Sequence, residues 1–279
     1  MFGQERIELK TPDQVRAMRR AGLVVADALA AVREQVRAGM TTADLDAVAA
    51  SVIAAAGATP SFLGYEGYPA TVCVSVNDEV VHGIPGPRVL EPGDIISVDC
   101  GAIVDGWHGD SALTLVLPAA DPADVALCDA TERAMWAGIA ALASADRLRS
   151  VGDAVEDVVD ATDTEVNGGV RFGVVEEYVG HGIGSAMHQP PDVLNYRARA
   201  RGARVRPGLC VAIEPMLTRG AQATQVLEDD WTVVTADGSR AAHWEHTVAV
   251  LESGIWVLTA RDGGAARLLE LGVTIAPLD

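Results

Sequence analysis

Apolar residues recur at helical spacing from residue 11 to about 38. Thr11, Pro12 and Gln14 there supply an N-cap, a proline at N1 and a glutamine at N3, and Gly39 ends the run. A second helical stretch opens at Thr41 or Thr42 and closes near Gly57. The segment 58–69, ATPSFLGYEGYP, is dense in glycine, proline and aromatics and reads as an ordered loop. Residues 71–76 predict a strand, and NDEVVHGIPGP after them a strand end and a turn. Strand spacing returns over 95–117, IISVDCGAIVDGWHGDSALTLVL. Asp121-Pro122 repeats the cap-and-proline signal before a helix to about Ala145, and a further helix is predicted over 151–166, ended by Gly168-Gly169. The remaining strand-like pieces are 173–179, 209–217, 231–235 and 244–251. Two helices and then strands, twice over, predict an α+β fold with helices covering one face of a curved antiparallel sheet. The other face is then free to carry a site.

Within 95–117, Asp105-Gly106 between two β-branched runs is a hairpin signal. A two-residue turn there sets Val104 opposite Trp107 and Asp110 opposite Gly101, with Asp99 two residues further along the first strand. Opposed residues share a face, as do residues i and i+2, so Asp99 and Asp110 project to the same side. Two carboxylates on an apolar hairpin repel each other and are costly to bury, and a cation between them removes the problem. A hairpin with one wet face accounts for these two residues equally well.

Composition narrows the classes. The chain has 279 residues, enough for one large domain, and 28 glycines and 13 prolines suit a loop-bearing globule. The N-terminus MFGQERIELK lacks the apolar core of a signal peptide, and no window approaches an uncharged membrane span. Cys73, Cys100, Cys128 and Cys210 stand apart with no CxxC, which points to a reduced, cytoplasmic protein. A formal charge of −18 argues against DNA or any nucleic acid as main ligand.

Further polar residues interrupt apolar stretches: His181 in GHGIG, where flanking glycines let the backbone approach a ligand closely, His188 before Gln189-Pro190-Pro191, Glu214 ending Cys210-Val211-Ala212-Ile213, and Glu245 ahead of Thr247-Val248-Ala249-Val250. Singly, each is explained by a hydrogen-bonded core histidine or a solvated strand end. Two Asp, two Glu and a His together suit a dinuclear site for Mn, Fe, Co or Zn, although spacing does not say which of them converge.

The segments GYEGYPATVCVSVNDEVVHGIP (64–85), SVDCGAIVDGWHGDSA (97–112), YVGHGIGSAMHQPP (178–191), AIEPML (212–217) and DDWTVVTADGSRAAHWEHTVAV (229–250) carry a stronger signal. In these five motifs, in order and spacing, the chain resembles type I methionine aminopeptidases of the pita-bread metallopeptidase fold. The resemblance implies one catalytic domain over 1–279, with N-terminal helices at about 11–57 and catalytic motifs at about 60–250, and two pseudo-symmetric helix pairs on the outer face of the sheet. It implies five metal ligands for two divalent ions: Asp99, Asp110, His181, Glu214 and Glu245, with Asp110 and Glu245 bridging. A metal-bridged water would attack the first peptide carbonyl. Glu214 would shuttle its proton, His188 would donate to the oxyanion, and His82 would position the scissile amide nitrogen.

By the same resemblance Tyr65, Tyr68, Cys73 and Trp231 line an apolar pocket for methionine, preceding a small second residue. Phe62 and Met187 also face it, standing where many relatives carry Cys and Phe, an exchange that keeps the pocket volume. A monovalent-cation site near Asn77 and Glu79 is weakened by Ala241, where a serine is frequent. His108, His243 and His246 are assigned no ligand role; His246 follows Glu245 on a strand and points to the opposite face. The implied partners are nascent polypeptide N-termini, and the implied state is a monomer off the membrane.

Arg197, Arg199, Arg201, Arg204 and Arg206 form a basic patch in this acidic chain. It reads either as a solvated loop balancing nearby acids or as a transient contact to ribosomal RNA. Two rival functions remain. Proline-specific peptidases of this fold share the five ligands but usually carry a large extra N-terminal domain, whereas here the catalytic pattern begins near residue 60. Non-enzymatic scaffolds of the fold have typically lost ligands, and all five are present.

Overall fold

The computed structural model describes residues 7–278. The chain opens on α1 (Pro12–Gln35) and α2 (Thr42–Ala55), each started by a capping box, Thr11 with Gln14 and Thr41 with Asp44. α1 stops three residues short of the expected 38 because Val36 turns extended, at ψ 132°. The chain after it pairs instead with Leu90, through Gly39 N to Leu90 O at 2.8 Å and Leu90 N to Met40 O at 2.8 Å. A tertiary partner outbids the last half turn of helix.

Then follow β1 (Thr59–Pro60), β2 (Val72–Val76), β3 (Glu79–Val81), β4 (Ile95–Val104) and β5 (Trp107–Val116). β4 pairs antiparallel with β1, β2 and β5, and the β4–β5 register is the one its Asp-Gly turn predicts: Val104 opposite Trp107, Gly101 opposite Asp110 and Asp99 opposite Ala112. Asp105 and Gly106 both take positive φ, as such a turn requires.

The second half begins with α3 (Pro122–Leu142), capped by Asp121, and α4 (Arg149–Asp160). α4 ends at Asp160 and not at 166. Thr162 Oγ1 bonds back to Val158 O, and Asp163 Oδ1 takes the N–H of Glu165 to start a separate 3-10 turn. Short polar side chains compete with the helix for its own backbone. The strands that follow are β6 (Gly173–Val174), β7 (Gly180–Gly182), β8 (Gln189–Val193), β9 (Cys210–Ile213), β10 (Met216–Thr218), β11 (Thr224–Val226), β12 (Val233–Thr235), β13 (Ala241–His243), β14 (His246–Leu251) and β15 (Gly254–Val257). The expected strand 209–217 is broken at Glu214-Pro215, and of the expected 173–179 only 173–174 forms strand, with Val175 N adding one bond to Met216 O at 3.0 Å. A short helix α5 (Ala265–Glu270), absent from the sequence reading, follows β15.

The antiparallel sheets run β15-β14-β9-β7-β8, β13-β10-β6 and β11-β12-β3 beside the β4 sheet. They join through single rungs: Ala241 N to Asn77 O at 2.8 Å, and a reciprocal pair between Ala112 and Glu245. One core runs beneath the helices, from Val25, Leu29 and Leu45 against Val74, Ile96 and Val98 to Leu127, Ile139 and Val155 among Val211, Ile213 and Val248. Each fully buried aliphatic there contributes roughly 1.5–3 kcal/mol. With the helices on one side, the concave side of the strands is left for polar groups.

Candidate active site

Asp99 and Asp110 reach the concave side from β4 and β5, two register positions apart. Ala112 stands opposite Asp99, and its other edge meets Glu245: Glu245 N donates to Ala112 O at 3.0 Å and Ala112 N to Glu245 O at 3.3 Å. Ser111 Oγ also donates to Glu245 O at 2.5 Å, and Thr247 Oγ1 donates to Asp110 O at 2.7 Å. The backbone that carries these three carboxylates is therefore pinned from both halves of the chain.

His181 sits at the centre of β7. A Cβ at Gly180 would collide with Ala212 O, and one at Gly182 with Pro190 O. The flanking glycines thus admit the neighbouring strands β9 and β8 and do not serve the approach of a ligand. His181 Nδ1 lies 3.0 Å from Gly182 O, which can only accept, so Nδ1 carries the proton and Nε2 presents a lone pair to the cavity. Nε2 lies 3.4 Å from Oε1 of Glu214, where Pro215 breaks the strand. Donor atoms of Asp110, His181 and Glu245 all lie within 4.8 Å of one another.

The electrostatics of this cluster are unfavourable without a cation. Burial pushes the carboxyl of Asp99 up. Burial, then the charges of Glu245 and Asp99, do the same to Asp110; burial with neighbouring acids raises Glu214 and Glu245. Asp99 Oδ1, Asp110 Oδ1, Glu214 Oε1 and Glu245 Oε1 are buried with no hydrogen-bond partner. Four orphaned carboxylate oxygens beside a free imidazole lone pair fit a divalent metal: hard oxygen donors with one nitrogen, and negative charge to be neutralised.

The same cavity, about 190 Å³, is lined by Phe62, Tyr65, Tyr68, Cys73, His82, Met187, His188 and Trp231 together with the five acidic and imidazole donors. It is smaller than the roughly 300–1,000 Å³ of pockets for drug-sized ligands and suits one residue side chain. Every site residue expected from the sequence lines it. Glu66 and Val81 line it too and were not anticipated; nothing in their local pattern marked them. Phe62, Tyr68, Cys73 and Met187 form one buried cluster with Tyr65 and Trp231 against it, Phe62 meeting Tyr68 edge-on at 6.5 Å.

Burial pushes His82 down to about 4, with the charge of His188 adding to the effect, so its imidazole is neutral near pH 7. His82 holds φ 62°, a strained setting for a non-glycine, with its ring edge-on to Tyr178 at 5.7 Å and Trp231 at 6.1 Å. His188 Nδ1 is 3.0 Å from the Tyr65 hydroxyl; with that hydroxyl donating, the proton rests on Nε2. His246 points away, to Ser111, Thr259 and the Trp136 ring. His243, given no role by the sequence, is buried with Nε2 3.9 Å from Glu214 Oε2. Near Asn77 the cation is a guanidinium: Arg240 Nη1 donates to Asn77 Oδ1 at 2.7 Å and to Gly93 O at 2.9 Å.

Strand topology and donor set define a metallopeptidase of the pita-bread class. A family model described as metallopeptidase family M24 matches residues 16–252, and the chain belongs to that family. Within it the chain stands among the type I methionine aminopeptidases. It is 51% identical over 258 residues to methionine aminopeptidase 1 of Mycobacterium tuberculosis (strain CDC 1551 / Oshkosh), covering 92% of this chain and 96% of that protein. It is 42% identical over 250 residues to methionine aminopeptidase 1 of Bacillus subtilis (strain 168), covering 90% and 98%. A crystal structure of methionine aminopeptidase from Thermotoga maritima matches with a TM-score of 0.86 at 38% identity, over 92% of this chain and 100% of that one. A prolidase from Pyrococcus furiosus shares the fold alone, with a TM-score of 0.69 at 18% identity; this chain covers 65% of it. Among the described residues no helix is long and apolar enough to cross a membrane.

Proposed function

We propose that this protein removes the N-terminal methionine from nascent proteins and peptides, with a small second residue preferred, as a single-domain cytoplasmic monomer. The observation that carries this reading is the set of four unpartnered, buried carboxylate oxygens at the floor of a one-residue apolar cavity. Asp99, Asp110, His181, Glu214 and Glu245 would hold two divalent ions drawn from Mn, Fe, Co or Zn. When bound, such ions supply a Lewis acid and a water that deprotonates near neutral pH.

The chain's own groups do the rest. Phe62, Tyr65, Tyr68, Cys73, Met187 and Trp231 take the methionine side chain, and the negative cluster faces the free α-amine. Glu214 accepts the attacking water's proton and returns it to the leaving amine. His188, protonated on Nε2, donates to the oxygen that gains charge, and neutral His82 orients the scissile amide nitrogen. The test is release of methionine from Met-Ala-Ser, against Ala-Pro-Ala, by metal-stripped protein with and without Mn, Fe or Co. Metal-dependent cleavage of the first peptide alone supports the reading; cleavage of the proline peptide overturns it in favour of a prolidase.

A transient contact to ribosomal RNA is part of the same proposal. Arg197 is taken up by Asp153, Glu156, Asp157 and Asp160, as a solvated loop would have it. Arg201, Arg204 and Arg206, by contrast, line an open groove with Arg147 and a single acid, Asp146. Replacing those three with Ser and measuring co-sedimentation with ribosomes tests it; undiminished binding removes the idea.

A further inference from the structure

The loop between β7 and β8 carries two residues of the cavity wall, Met187 and His188, yet its own backbone bonds hold little of it. Ile183 N bonds Cys210 O at 3.2 Å where the loop leaves β7, Gly184 N bonds Ala186 O at 3.0 Å within it, and His108 N reaches Gly184 O at 3.0 Å; none of these reaches Met187 or His188. The firmest grip comes from the far end of the chain. Glu8, just ahead of α1, accepts from Ser185 Oγ at 2.8 Å on one carboxylate oxygen, and from Ser185 N at 3.2 Å and Gln189 Nε2 at 2.8 Å on the other. Those two partners bracket Met187 and His188.

Glu8 is itself fixed. Lys10 N donates to Gly208 O at 2.7 Å, and the buried Lys10 ammonium lies 3.1 Å from Glu8 O and 3.4 Å from Glu8 Oε2. The loop fits this anchor closely, since a Cβ on Gly184 would collide with both Glu8 Oε2 and the Lys10 side chain. Burial alone would raise the Glu8 carboxyl, but the bonds from Gln189 and Ser185, helped by Lys10, hold it at about 2, so it stays charged throughout the working range. His188 otherwise rests on the Tyr65 hydroxyl and on the His181 ring at 4.3 Å.

We propose that Glu8 is a positioning residue for the reaction: through Ser185 and Gln189 it sets the 184–189 loop so that His188 meets the developing oxyanion and Met187 closes the methionine pocket. The role of His188 rests on the aminopeptidase reading above. A group acting on the transition state loses rate steeply when displaced, about a hundredfold for a misplacement of 1 Å. Glu8→Ala removes all three bonds. Glu8→Gln keeps an acceptor for Ser185, and its amide can pair with Gln189 if that side chain turns over.

The experiment compares wild type, Glu8→Ala and Glu8→Gln by amide hydrogen exchange over 184–189, by metal affinity, and by kcat and KM on Met-Ala-Ser. Glu8→Ala is expected to speed exchange in that loop, to lower kcat about tenfold or more through His188 and to raise KM severalfold through Met187, with metal affinity within about twofold and Glu8→Gln recovering most of the loss. Unchanged exchange in Glu8→Ala overturns the proposal. So does an equal fall of kcat, metal affinity and stability in both variants. If wild type releases no methionine, the aminopeptidase reading fails, and the exchange comparison still decides whether Glu8 holds the loop.

Discussion

Glu245 and Ala112 exchange both of their backbone hydrogen bonds, at 3.0 and 3.3 Å, while Ala112 stands opposite Asp99 on its other edge. Residues directly opposite across a pleated pair share a face, so Asp99, Ala112 and Glu245 lie in one row across three strands, with Asp110 two residues from Ala112 on the same face. The two halves of the chain meet at the centre of the acidic cluster, and the side chain between two of its carboxylates is a single methyl.

That methyl keeps the space between the carboxylates open. Ala112→Leu is expected to lower metal affinity by about tenfold or more, a loss comparable to removing a group that orients a ligand. Titration calorimetry with Mn or Co on the purified variant checks it; wild-type affinity would mean that the Ala112 side chain does not border the ions.

The acids of the site make the metal-free protein pH-sensitive. Asp99, Asp110, Glu214 and Glu245 are all pushed upward, chiefly by burial. A carboxyl raised above its unfolded value of about 4 adds stability below that pH and loses it as the pH rises through the folded value. The metal-free protein should therefore be penalised by these groups at neutral pH, and a divalent ion should relieve the penalty. At an ion concentration about a hundredfold above the Kd at pH 8, Tm is expected to rise by about 5 °C at pH 8 and by less at pH 5.5, where protons compete for the same oxygens and weaken binding. Calorimetry at both values, with and without Mn, measures the difference.

His188 donates only as charge develops, so its loss belongs in kcat. His188→Ala should reduce kcat by about 10²–10³ and leave KM within a few-fold. Tyr65→Phe, which removes the 3.0 Å partner of Nδ1, should show a smaller fall of the same kind. A KM effect without a kcat effect in His188→Ala would assign the residue to ground-state binding.

Phe62 is a wall of the pocket and part of its core. Phe62→Ala is expected to cost about 3–5 kcal/mol of stability and to lower kcat/KM on Met-Ala-Ser, while improving the ratio for Phe-Ala-Ser. An unaltered ratio would place the selecting contact on Met187 or Trp231.

Much of this was legible in the chain itself where the signal is local. The capping residues at Thr11, a threonine at 41 or 42 and the Asp105-Gly106 turn mark three element boundaries within a few residues, and the turn alone puts Asp99 and Asp110 on one face. Where a distant backbone or a nearby polar side chain competes for the same groups, the reading from periodicity failed. α1 yields its last residues to Leu90, α4 yields to Thr162 and Asp163, and the His181 glycines answer to Ala212 O and Pro190 O. No local pattern announced Glu66, Val81 or the grip of Glu8 on Ser185 and Gln189, because each depends on loops brought together from remote positions.

By itself the sequence determined the starts of α1, α2 and α3, the hairpin register, the fold family and, through the family's motifs, which five residues to watch. Those follow from short-range sterics, hydrogen-bond chemistry and ordered motifs, all carried within a few residues of one another. Only the tertiary structure decided that Glu245 lies beside Asp99 and Asp110, that Glu214 turns its carboxylate to His181, and that four carboxylate oxygens are left buried without a partner. Convergence of that kind is set by how the two halves close over one core, and no local spacing encodes it.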